Sequence, residues 1–246
     1  MYKEGKIYVI GIGPGGKENM TYEAIQIFND MECVVGYKSY IELIREMITD
    51  KEVISSGMKK EIERCELCFD IAEQGKKVAI VSSGDAGIYG MAGLIYEVAK
   101  RRDSKIEIEV VCGVTSSTAA ASILGAPLMH DYAVISLSDL ITPWELIEKR
   151  VNYAAQGDFV TTIYNPKSME RTWQIEKVKE IFLSVRDKNT PVGIVRNAKR
   201  ADESLVITTL EFMTNHDIDM FSTVIIGNSK SYIWHNKIIT PRGYKV

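Results

Sequence analysis

The chain has no long hydrophobic run, and this absence excludes an ordinary membrane-spanning helix. None of the apolar stretches in its 246 residues reaches the roughly 20 residues that a helix needs to cross a bilayer. Residues 1–5 lead directly into the first apolar segment, without the hydrophobic core or the cleavage site of a signal peptide. We therefore expect a cytoplasmic protein with no membrane partner.

The chain also lacks an excess of charge of either sign. Its 30 Lys and Arg residues stand against 33 Asp and Glu residues, and the net charge is −3. The basic residues are dispersed, whereas nucleic-acid binding needs a basic patch or stripe, so nucleic acid is not an expected partner. An anionic small molecule is compatible with this balance, because a few local arginines suffice to bind it.

Cysteine is scarce, and its spacing does not fit a metal site. The chain has four cysteines, of which only Cys65 and Cys68 are close in sequence. A zinc site needs a second pair of ligands, and Cys33 and Cys112 stand alone, so we predict no metal. A redox-active C-x-x-C usually begins a helix. Cys65 and Cys68 instead lie within a predicted helix on its apolar face, so we expect buried, inert thiols.

What is present is an alternation of short apolar segments and amphipathic segments, which is typical of an α/β protein. The predicted strands are 6–11, 33–36, 52–55, 77–82, 106–111, 133–137, 159–164, 191–196, 204–209 and 222–227. The predicted helices are 21–31, 40–48, 59–74, 91–101, 115–124, one beginning at 142–145, and 169–186. A break at 125–127 predicts an N-terminal α/β domain over 1–125 and a C-terminal α/β domain over 126–246.

Two helix starts carry local signals. Ser39 and Glu42 have the spacing of a capping box. Thr142 is predicted to be the N-cap of the helix that begins at 142–145, with Pro143 as its first residue and Glu145 in its first turn.

A glycine-rich loop follows the first predicted strand. Gly11, Gly13 and Gly16 match the G-x-G-x-x-G pattern of dinucleotide-binding loops. Pro14 removes an N–H that would contact a pyrophosphate, and the second strand has no carboxylate at its end to bind a ribose. These features disfavour NAD(P), and a tight strand–helix turn explains the glycines equally well.

The most informative loop is 82–91 (SSGDAGIYGM), which follows the strand 77–82. Open α/β sheets bind ligands at the carboxyl ends of their strands, so we expect this loop to approach a small polar ligand closely. Asp85 suits an ammonium, a hydroxyl or a sulfonium-bearing ligand, and the alternative is an N-cap for the following helix. Thr115 and Ser116 follow the next strand and either join this site or cap their own helix.

Asparagine follows three predicted strands of the second half. Asn165, Asn197 and Asn228 together indicate a second set of site loops, although each alone is more typical of a turn. His130 and Asp131 have the chemistry of an acid–base pair. Neighbours in sequence seldom point at one target, so a structural role is the favoured interpretation.

Several segments together resemble the tetrapyrrole (corrin and porphyrin) methyltransferase family, over nearly the whole chain. They are 11–15 (GIGPG), 83–91 (SGDAGIYGM), 113–115 (GVT), 124–128 (LGAPL), 164–166 (YNP) and 240–244 (TPRGY). Segments 130–132 (HDY), 136–140 (SLSDL) and 142–144 (TPW) are most similar to the subfamily that methylates carbon-17 of precorrin-3B or cobalt-factor III and contracts the ring. The resemblance implies two α/β domains that bind S-adenosylmethionine in the interdomain cleft, release S-adenosylhomocysteine and form a homodimer.

The resemblance also implies site residues. Those implied to bind the cofactor are Pro14, Gly84, Asp85, Ile88, Tyr89, Thr115, Ser116, Tyr164, Asn165, Arg196, Asn197, Gly227 and Asn228. Because the tetrapyrrole carries carboxylates, we expect its ligands among Lys38, Lys167, Arg171, Arg196 and Arg242. Asp85 and His130 are the candidate catalytic groups for the proton transfers of ring contraction.

Three other functions stay open. They are methyl transfer to another tetrapyrrole position or another acceptor, nucleotide-dependent oxidoreduction, and non-catalytic binding of a tetrapyrrole or nucleotide. The sequence also leaves open whether the substrate contains cobalt and whether the reaction uses oxygen.

Overall fold

The chain forms two compact units, residues 1–115 and 116–246. The computed structural model describes residues 5–245. The division falls before the helix at 116–124, whereas the predicted boundary placed that helix in the first domain. The helix packs on the strands at 191–196 and 222–226, which belong to the second unit.

The first unit is built on five parallel strands. They are β1 (Lys6–Gly11), β2 (Cys33–Tyr37), β3 (Glu52–Ser56), β4 (Lys77–Ser82) and β5 (Glu107–Val111), in the spatial order β3-β2-β4-β1-β5. The helices are α1 (Tyr22–Asn29), α2 (Lys38–Leu43), α3 (Glu61–Ala72) and α4 (Ala92–Arg102). Because β4, β1 and β5 are adjacent and parallel, the loops after them share one edge of the sheet.

Both faces of this sheet are covered, as its β-branched strands predict. Ile7 and Val9 pack with α3 and α4 on one face, and Ile10 packs with α1 and α2 on the other. This alternation with a period of two is that of a strand buried on both sides.

The second unit contains a mixed sheet and a small accessory sheet. Its strands are β6 (Gly125–Ala126), β7 (Tyr132–Ser136), β8 (Val160–Tyr164), β9 (Pro191–Arg196), β10 (Ser204–Thr209), β11 (Ser222–Ile226), β12 (Tyr232–Trp234) and β13 (Lys237–Ile239). Its helices are α5 (Ser116–Leu124), α6 (Trp144–Gln156) and α7 (Gln174–Leu183). The main sheet has the order β10-β9-β11-β8-β7, and the small one the order β12-β13-β6.

The direction of β11 decides which loops of the second unit lie together. β7 and β8 are parallel, while β11 is antiparallel to both β8 and β9. The carboxyl ends of β7, β8 and β9 therefore share one edge of the sheet, and β11 ends at the opposite edge.

The predicted helix caps are wrong at two places. Helix α2 begins at Lys38, so Ser39 lies inside it and forms no capping box. Helix α6 begins at Trp144 after Pro143, which as N-cap has no side-chain capping bond, so Thr142 is not the cap. The observed N-cap of α2, Tyr37, lies two residues before the predicted one, and that of α6, Pro143, lies one residue after it.

The predicted helix 169–186 is also shorter than expected, since α7 spans only Gln174–Leu183. Residues 168–171 instead close a separate loop, in which the Ser168 N–H donates to the Arg171 carbonyl oxygen at 2.9 Å.

α6 has 13 residues, and no helix within residues 5–245 is long and apolar enough to cross a membrane.

Candidate functional site

The loops after β1, β4 and β5 pack backbone against backbone at the edge of the first sheet. Gly13 donates its N–H to the Gly84 carbonyl oxygen at 3.0 Å, and the Gly84 N–H donates back to the Gly13 carbonyl at 2.8 Å. Both glycines have positive φ, +70° and +68°. A Cβ on Gly113 would overlap the Gly84 carbonyl oxygen and lie 2.7 Å from the Gly11 carbonyl. The three loops thus form one compact backbone assembly that accepts no larger residues at these positions.

Asp85 links two of these loops through its carboxylate. Its Oδ1 accepts the Gly87 N–H at 2.8 Å within the β4 loop, and its Oδ2 accepts the Gly113 N–H at 2.9 Å in the β5 loop. Helix α4 begins only at Ala92, after Met91 as N-cap, so the alternative that Asp85 caps this helix is wrong. The Asp85 carboxylate instead fixes the spacing of the loops with two charge-assisted hydrogen bonds.

The same edge exposes an apolar and aromatic surface. Ile88 is 41% exposed and Tyr89 is 61% exposed, whereas Pro14, Gly84 and Thr115 are buried. An exposed isoleucine and tyrosine beside backbone polar groups provide the mixed surface that small organic ligands require. The first unit therefore brings together the site residues predicted on its three loops.

The four thiols divide into three buried ones and one exposed one. Cys33, Cys65 and Cys68 are fully buried in the core and Cys112 is exposed. Burial raises the pKa of Cys33 to about 11 and that of Cys65 to about 12, and it raises the pKa of Cys68 well above its ordinary value. The prediction of buried C-x-x-C thiols is confirmed. Among residues 5–245, no group of three or more His, Cys, Asp and Glu residues is arranged to hold a metal.

In the second unit, Tyr164 and Asn165 lie at the carboxyl edge of β7 and β8. The Tyr164 hydroxyl accepts the Ser117 N–H at 2.7 Å and so caps the start of α5, next to Ser116. Asn165 has φ of +48° and donates its side-chain amide to the Ser136 hydroxyl at 2.9 Å. The structure thus brings the start of α5 close to Tyr164 and Asn165.

Arg171 lies behind this edge and is only 8% exposed. Its Nη2 donates to the Asn165 carbonyl oxygen at 2.8 Å, while its buried Nε has no hydrogen-bond partner in the described part of the chain. Burial lowers the pKa of the Arg171 guanidinium, and the charge of Asp139 opposes this shift. Arg171 therefore supports the loop that carries Asn165.

Arg196 and Asn197 end β9 at the same edge. The Arg196 Nε donates to Asp219 Oδ2 at 2.7 Å, so this guanidinium is already paired. Burial acts to raise the pKa of the Asp219 carboxyl, but hydrogen bonds from Arg196, Ser222 and Phe221 outweigh it and lower the pKa. Asn197 has φ of +50° and donates its N–H to the Phe221 carbonyl oxygen at 3.1 Å.

Gly227 and Asn228 lie at the opposite edge of the second sheet, because β11 is antiparallel. The expectation that all three asparagine loops lie together is therefore wrong for this pair. The Gly227 N–H donates to the Pro191 carbonyl oxygen at 2.8 Å. Asn228 Oδ1 accepts the Lys230 N–H at 3.0 Å and lies 3.2 Å from the Ser231 hydroxyl. The Asn228 side chain thus closes its own turn.

His130 and Arg242 are also at this opposite edge, where both line one concavity. His130 Nδ1 accepts the Asp131 N–H at 2.9 Å, and the same nitrogen is 3.5 Å from Asp131 Oδ2. The shorter contact makes Nδ1 an acceptor, so the ring does not donate to the Asp131 carboxylate as in an acid–base pair. Of the predicted lysines, Lys38 is exposed at the start of α2 and Lys167 is half-buried.

The sequence interpretation missed Arg186, whose side chain is only 3% exposed. Its Nη2 donates to the carbonyl oxygens of Ala154 at 3.2 Å and Phe159 at 2.8 Å, and its Nη1 donates to that of Gly227. Burial lowers the pKa of the Arg186 guanidinium, and the nearby Asp158 carboxylate opposes this shift. A single arginine after an amphipathic helix is typical of the surface, so no local signal indicates this role.

Known proteins are similar to this chain over nearly its whole length. The family described as Tetrapyrrole (Corrin/Porphyrin) Methylases matches residues 6–213. The cobalt-factor III methyltransferase of Priestia megaterium is 48% identical over 98% of this chain, which spans 46% of that protein. The probable cobalt-factor III C(17)-methyltransferase of Salmonella typhimurium is also 48% identical, over 96% of this chain and 98% of that protein. The chain thus spans about half of the first relative and nearly all of the second.

Solved structures share the fold. The crystal structure of the methyltransferase CobJ matches with a TM-score of 0.90 at 31% identity, over 96% of this chain and 100% of that one. The uroporphyrin-III C-methyltransferase of Thermus thermophilus, complexed with S-adenyl homocysteine, matches with a TM-score of 0.69 at 23% identity, over 91% of this chain and 97% of that one. The second likeness concerns the fold alone. The predicted α/β fold of the tetrapyrrole methylase type is confirmed.

Proposed function

This chain belongs to the tetrapyrrole (corrin and porphyrin) methylase family, and we propose that it is an S-adenosylmethionine-dependent methyltransferase of cobalamin biosynthesis. Its reaction in this proposal is methylation of carbon-17 of precorrin-3B or of cobalt-factor III, with contraction of the ring. Relatives at 48% and 43% identity are named probable cobalt-factor III C(17)-methyltransferases, which supports carbon-17 over another ring position.

The observation that carries the proposal is the backbone assembly after β1, β4 and β5. It places the closely packed backbone of three loops beside the exposed Ile88 and Tyr89, and this mixed surface fits a ligand with polar amino-acid and ribose groups and an apolar base. S-adenosylmethionine supplies a methyl group that its sulfonium has already activated. The chain therefore needs no strong nucleophile, and its contribution is positioning and exclusion of water.

The proposed cofactor residues lie on both units. On the first unit, Pro14, Gly84, Asp85, Ile88, Tyr89 and Thr115 belong to the backbone assembly or adjoin it. On the second unit, Ser116, Tyr164, Asn165, Arg196 and Asn197 share one sheet edge. Gly227 and Asn228 are supported by the resemblance only, because they lie at the other edge with their polar groups used in a turn.

For ring contraction, Asp85 and His130 are the two candidates for proton transfer that the resemblance offers, although the hydrogen bonds of each favour loop support for Asp85 and ligand binding for His130. Both oxygens of Asp85 already accept backbone N–H groups, so a proton on this carboxylate would break one of these bonds. For the substrate carboxylates, Arg242 is the best-supported ligand, being exposed without an ion-pair partner among residues 5–245. Arg171 and Arg196 are engaged within the protein, and Lys38 and Lys167 complete the proposed set.

We also propose a homodimer, which the resemblance implies, and a cytoplasmic location. Light scattering of the purified protein at several concentrations tests the dimer. A mass that stays at 27.6 kDa would contradict it.

Thiol chemistry provides a direct test of the proposed cofactor site. Cys112 is the exposed thiol and immediately precedes Gly113. The Gly113 N–H donates to the Asp85 carboxylate. We expect S-adenosylmethionine or S-adenosylhomocysteine to slow alkylation of Cys112 severalfold, while NAD(P)H leaves its rate unchanged. In parallel, S-adenosylhomocysteine should form only when a tetrapyrrole is supplied. Unprotected Cys112 together with absent S-adenosylhomocysteine would contradict the proposal.

A further inference from the structure

Three segments that stood out in the sequence converge on one concavity of the second unit. Its lining includes His130 before β7, Lys230 after β11, and Arg242 in the TPRGY segment. The concavity has a volume of about 420 Å³ and opens to solvent at the edge where β7 and β8 begin. Tyr164 ends β8 at the other edge, five residues or about 16 Å away along the strand.

The concavity presents hydrogen-bond donors from three separate parts of the chain. Lys230 and Arg242 are exposed, and neither side chain has a hydrogen-bond or ion-pair partner within residues 5–245. His130 Nδ1 already accepts the Asp131 N–H, so in the neutral ring the proton is on Nε2, which can donate. Two cations and a neutral donor around a hollow are suited to an anion with several oxygens, such as a carboxylate.

The acidic residues of the lining compensate this charge only in part. Asp158 Oδ1 accepts the Ser229 N–H at 2.9 Å, and Asp158 Oδ2 is 2.6 Å from the Ser229 hydroxyl. Its Oδ1 is also 3.6 Å from Arg186 Nε, so this carboxylate is already neutralised by a buried guanidinium. Asp131 is 80% exposed and solvated. The charges of Lys230 and Arg242 therefore remain available to a ligand.

We propose that this concavity binds a peripheral carboxylate arm of the tetrapyrrole substrate. Arg242 and Lys230 hold the carboxylate oxygens, and His130 donates from Nε2 as a binding group. The proposal rests on the proposed function, which provides a substrate large enough to be held far from its reacting carbon. Contacts to such remote parts of a substrate supply binding energy that fixes the reacting centre.

The test is a fluorescence titration with a porphyrin that carries free carboxylate arms. The proteins are the wild type, Arg242→Gln, Lys230→Gln and the double variant. We expect each single substitution to raise the Kd about tenfold, as for loss of one charged hydrogen bond, and the double variant to bind more weakly still. Arg150→Gln and Lys100→Gln are matched controls, since both side chains are exposed without a partner in the described residues. Their Kd should stay within about twofold of the wild type.

Several outcomes would overturn the proposal. One is a double variant that binds the porphyrin as tightly as the control variants do. Another is a wild type that binds the esterified porphyrin equally well, since esters carry no charge. Preferential binding of citrate, with the same dependence on Arg242, would assign the concavity to free carboxylates instead. Failure of the proposed function is distinguishable, because it abolishes S-adenosylmethionine binding and methyl transfer in the wild type.

Discussion

Asp85 illustrates how far a single residue can be interpreted from sequence. Its place after a strand and among glycines predicted a position at the carboxyl edge of the sheet, and it does lie at that edge. Its partners were not predictable, because the Gly113 N–H comes from a loop 28 residues away. That pairing depends on β5 lying beside β1, which only the folded sheet establishes.

The first prediction concerns Asp85→Asn. An amide keeps one acceptor oxygen, and its NH2 group would face an N–H donor, so one of the two loop bonds is lost. We expect the KM for S-adenosylmethionine to rise about tenfold or more, with kcat and the shape of the pH–rate profile little changed. Steady-state kinetics across pH provide the measurement.

Asp217→Asn is the matched control, because Asp217 is exposed and has no side-chain partner among residues 5–245. A normal KM with a collapsed kcat and a missing ionisation in Asp85→Asn would instead indicate proton transfer by this carboxylate.

The buried thiols predict how stability depends on pH. Free thiols ionise near 9.0 in the unfolded chain, whereas folding holds the pKa of Cys33 at about 11 and that of Cys65 at about 12. The two neutral thiols contribute fully to the free energy of unfolding below pH 9. As the pH rises towards their folded-state pKa values, this free energy falls by up to about 1.4 kcal/mol per pH unit for each thiol. Urea unfolding between pH 8 and pH 10.5 should show this decline. The free energy of unfolding should fall less steeply with pH in Cys65→Ala than in the wild type. Equal slopes would contradict the assignment.

At the scale of elements, the sequence predicted the strands well and the caps poorly. Strands β1, β4, β9 and β10 have the predicted bounds, because their apolar β-branched runs end at a glycine or a polar residue. The antiparallel direction of β11 was not predictable, because the apolar sequence pattern of a buried strand is the same for a parallel and an antiparallel strand. That one direction separates Asn228 from Asn165 and Asn197.

The packing of the backbone assembly after β1, β4 and β5 predicts that two glycine substitutions have opposite effects on stability. In Gly113→Ala the new Cβ would overlap the Gly84 carbonyl oxygen, so the loops must separate, with a loss of roughly 1–3 kcal/mol. In Gly93→Ala the Cβ meets nothing within 4 Å inside α4, and helix propensity should stabilise the protein by up to about 1 kcal/mol. Urea unfolding and S-adenosylmethionine titration of both variants check this. Normal binding by Gly113→Ala would contradict the packing argument.

The contacts of Arg186 predict that this side chain stabilises the edge of the second unit where α6 ends. Arg186→Ala removes the guanidinium donor from the carbonyl groups of Ala154, Phe159 and Gly227, and it removes the cation near Asp158. We expect a loss of about 3 kcal/mol in the free energy of unfolding. Arg150→Ala, on the exposed face of α6, should change it by less than about 0.5 kcal/mol. Equal urea midpoints for the two variants would refute the structural role.

At the scale of the whole molecule, the strand–helix alternation predicted two α/β bodies, and the resemblance of separate motifs predicted their family. The alternation also suggested that α5 closes the first body, since it follows β5 directly. Leu124 of α5 instead packs in the second unit, where a Cβ on Gly193 would overlap its side chain. A helix with an apolar face does not specify which sheet it covers, so this assignment required the tertiary structure.

The most direct test of the account is anaerobic turnover with S-adenosylmethionine carrying a 13C-labelled methyl group. Cobalt-free and cobalt-loaded substrates are supplied separately, and the products are read by mass and by 13C NMR. The account predicts one labelled methyl group, located on carbon-17, in the product of at least one substrate, with one S-adenosylhomocysteine formed per product. A labelled methyl at another ring position, or no transfer to either substrate, would contradict it.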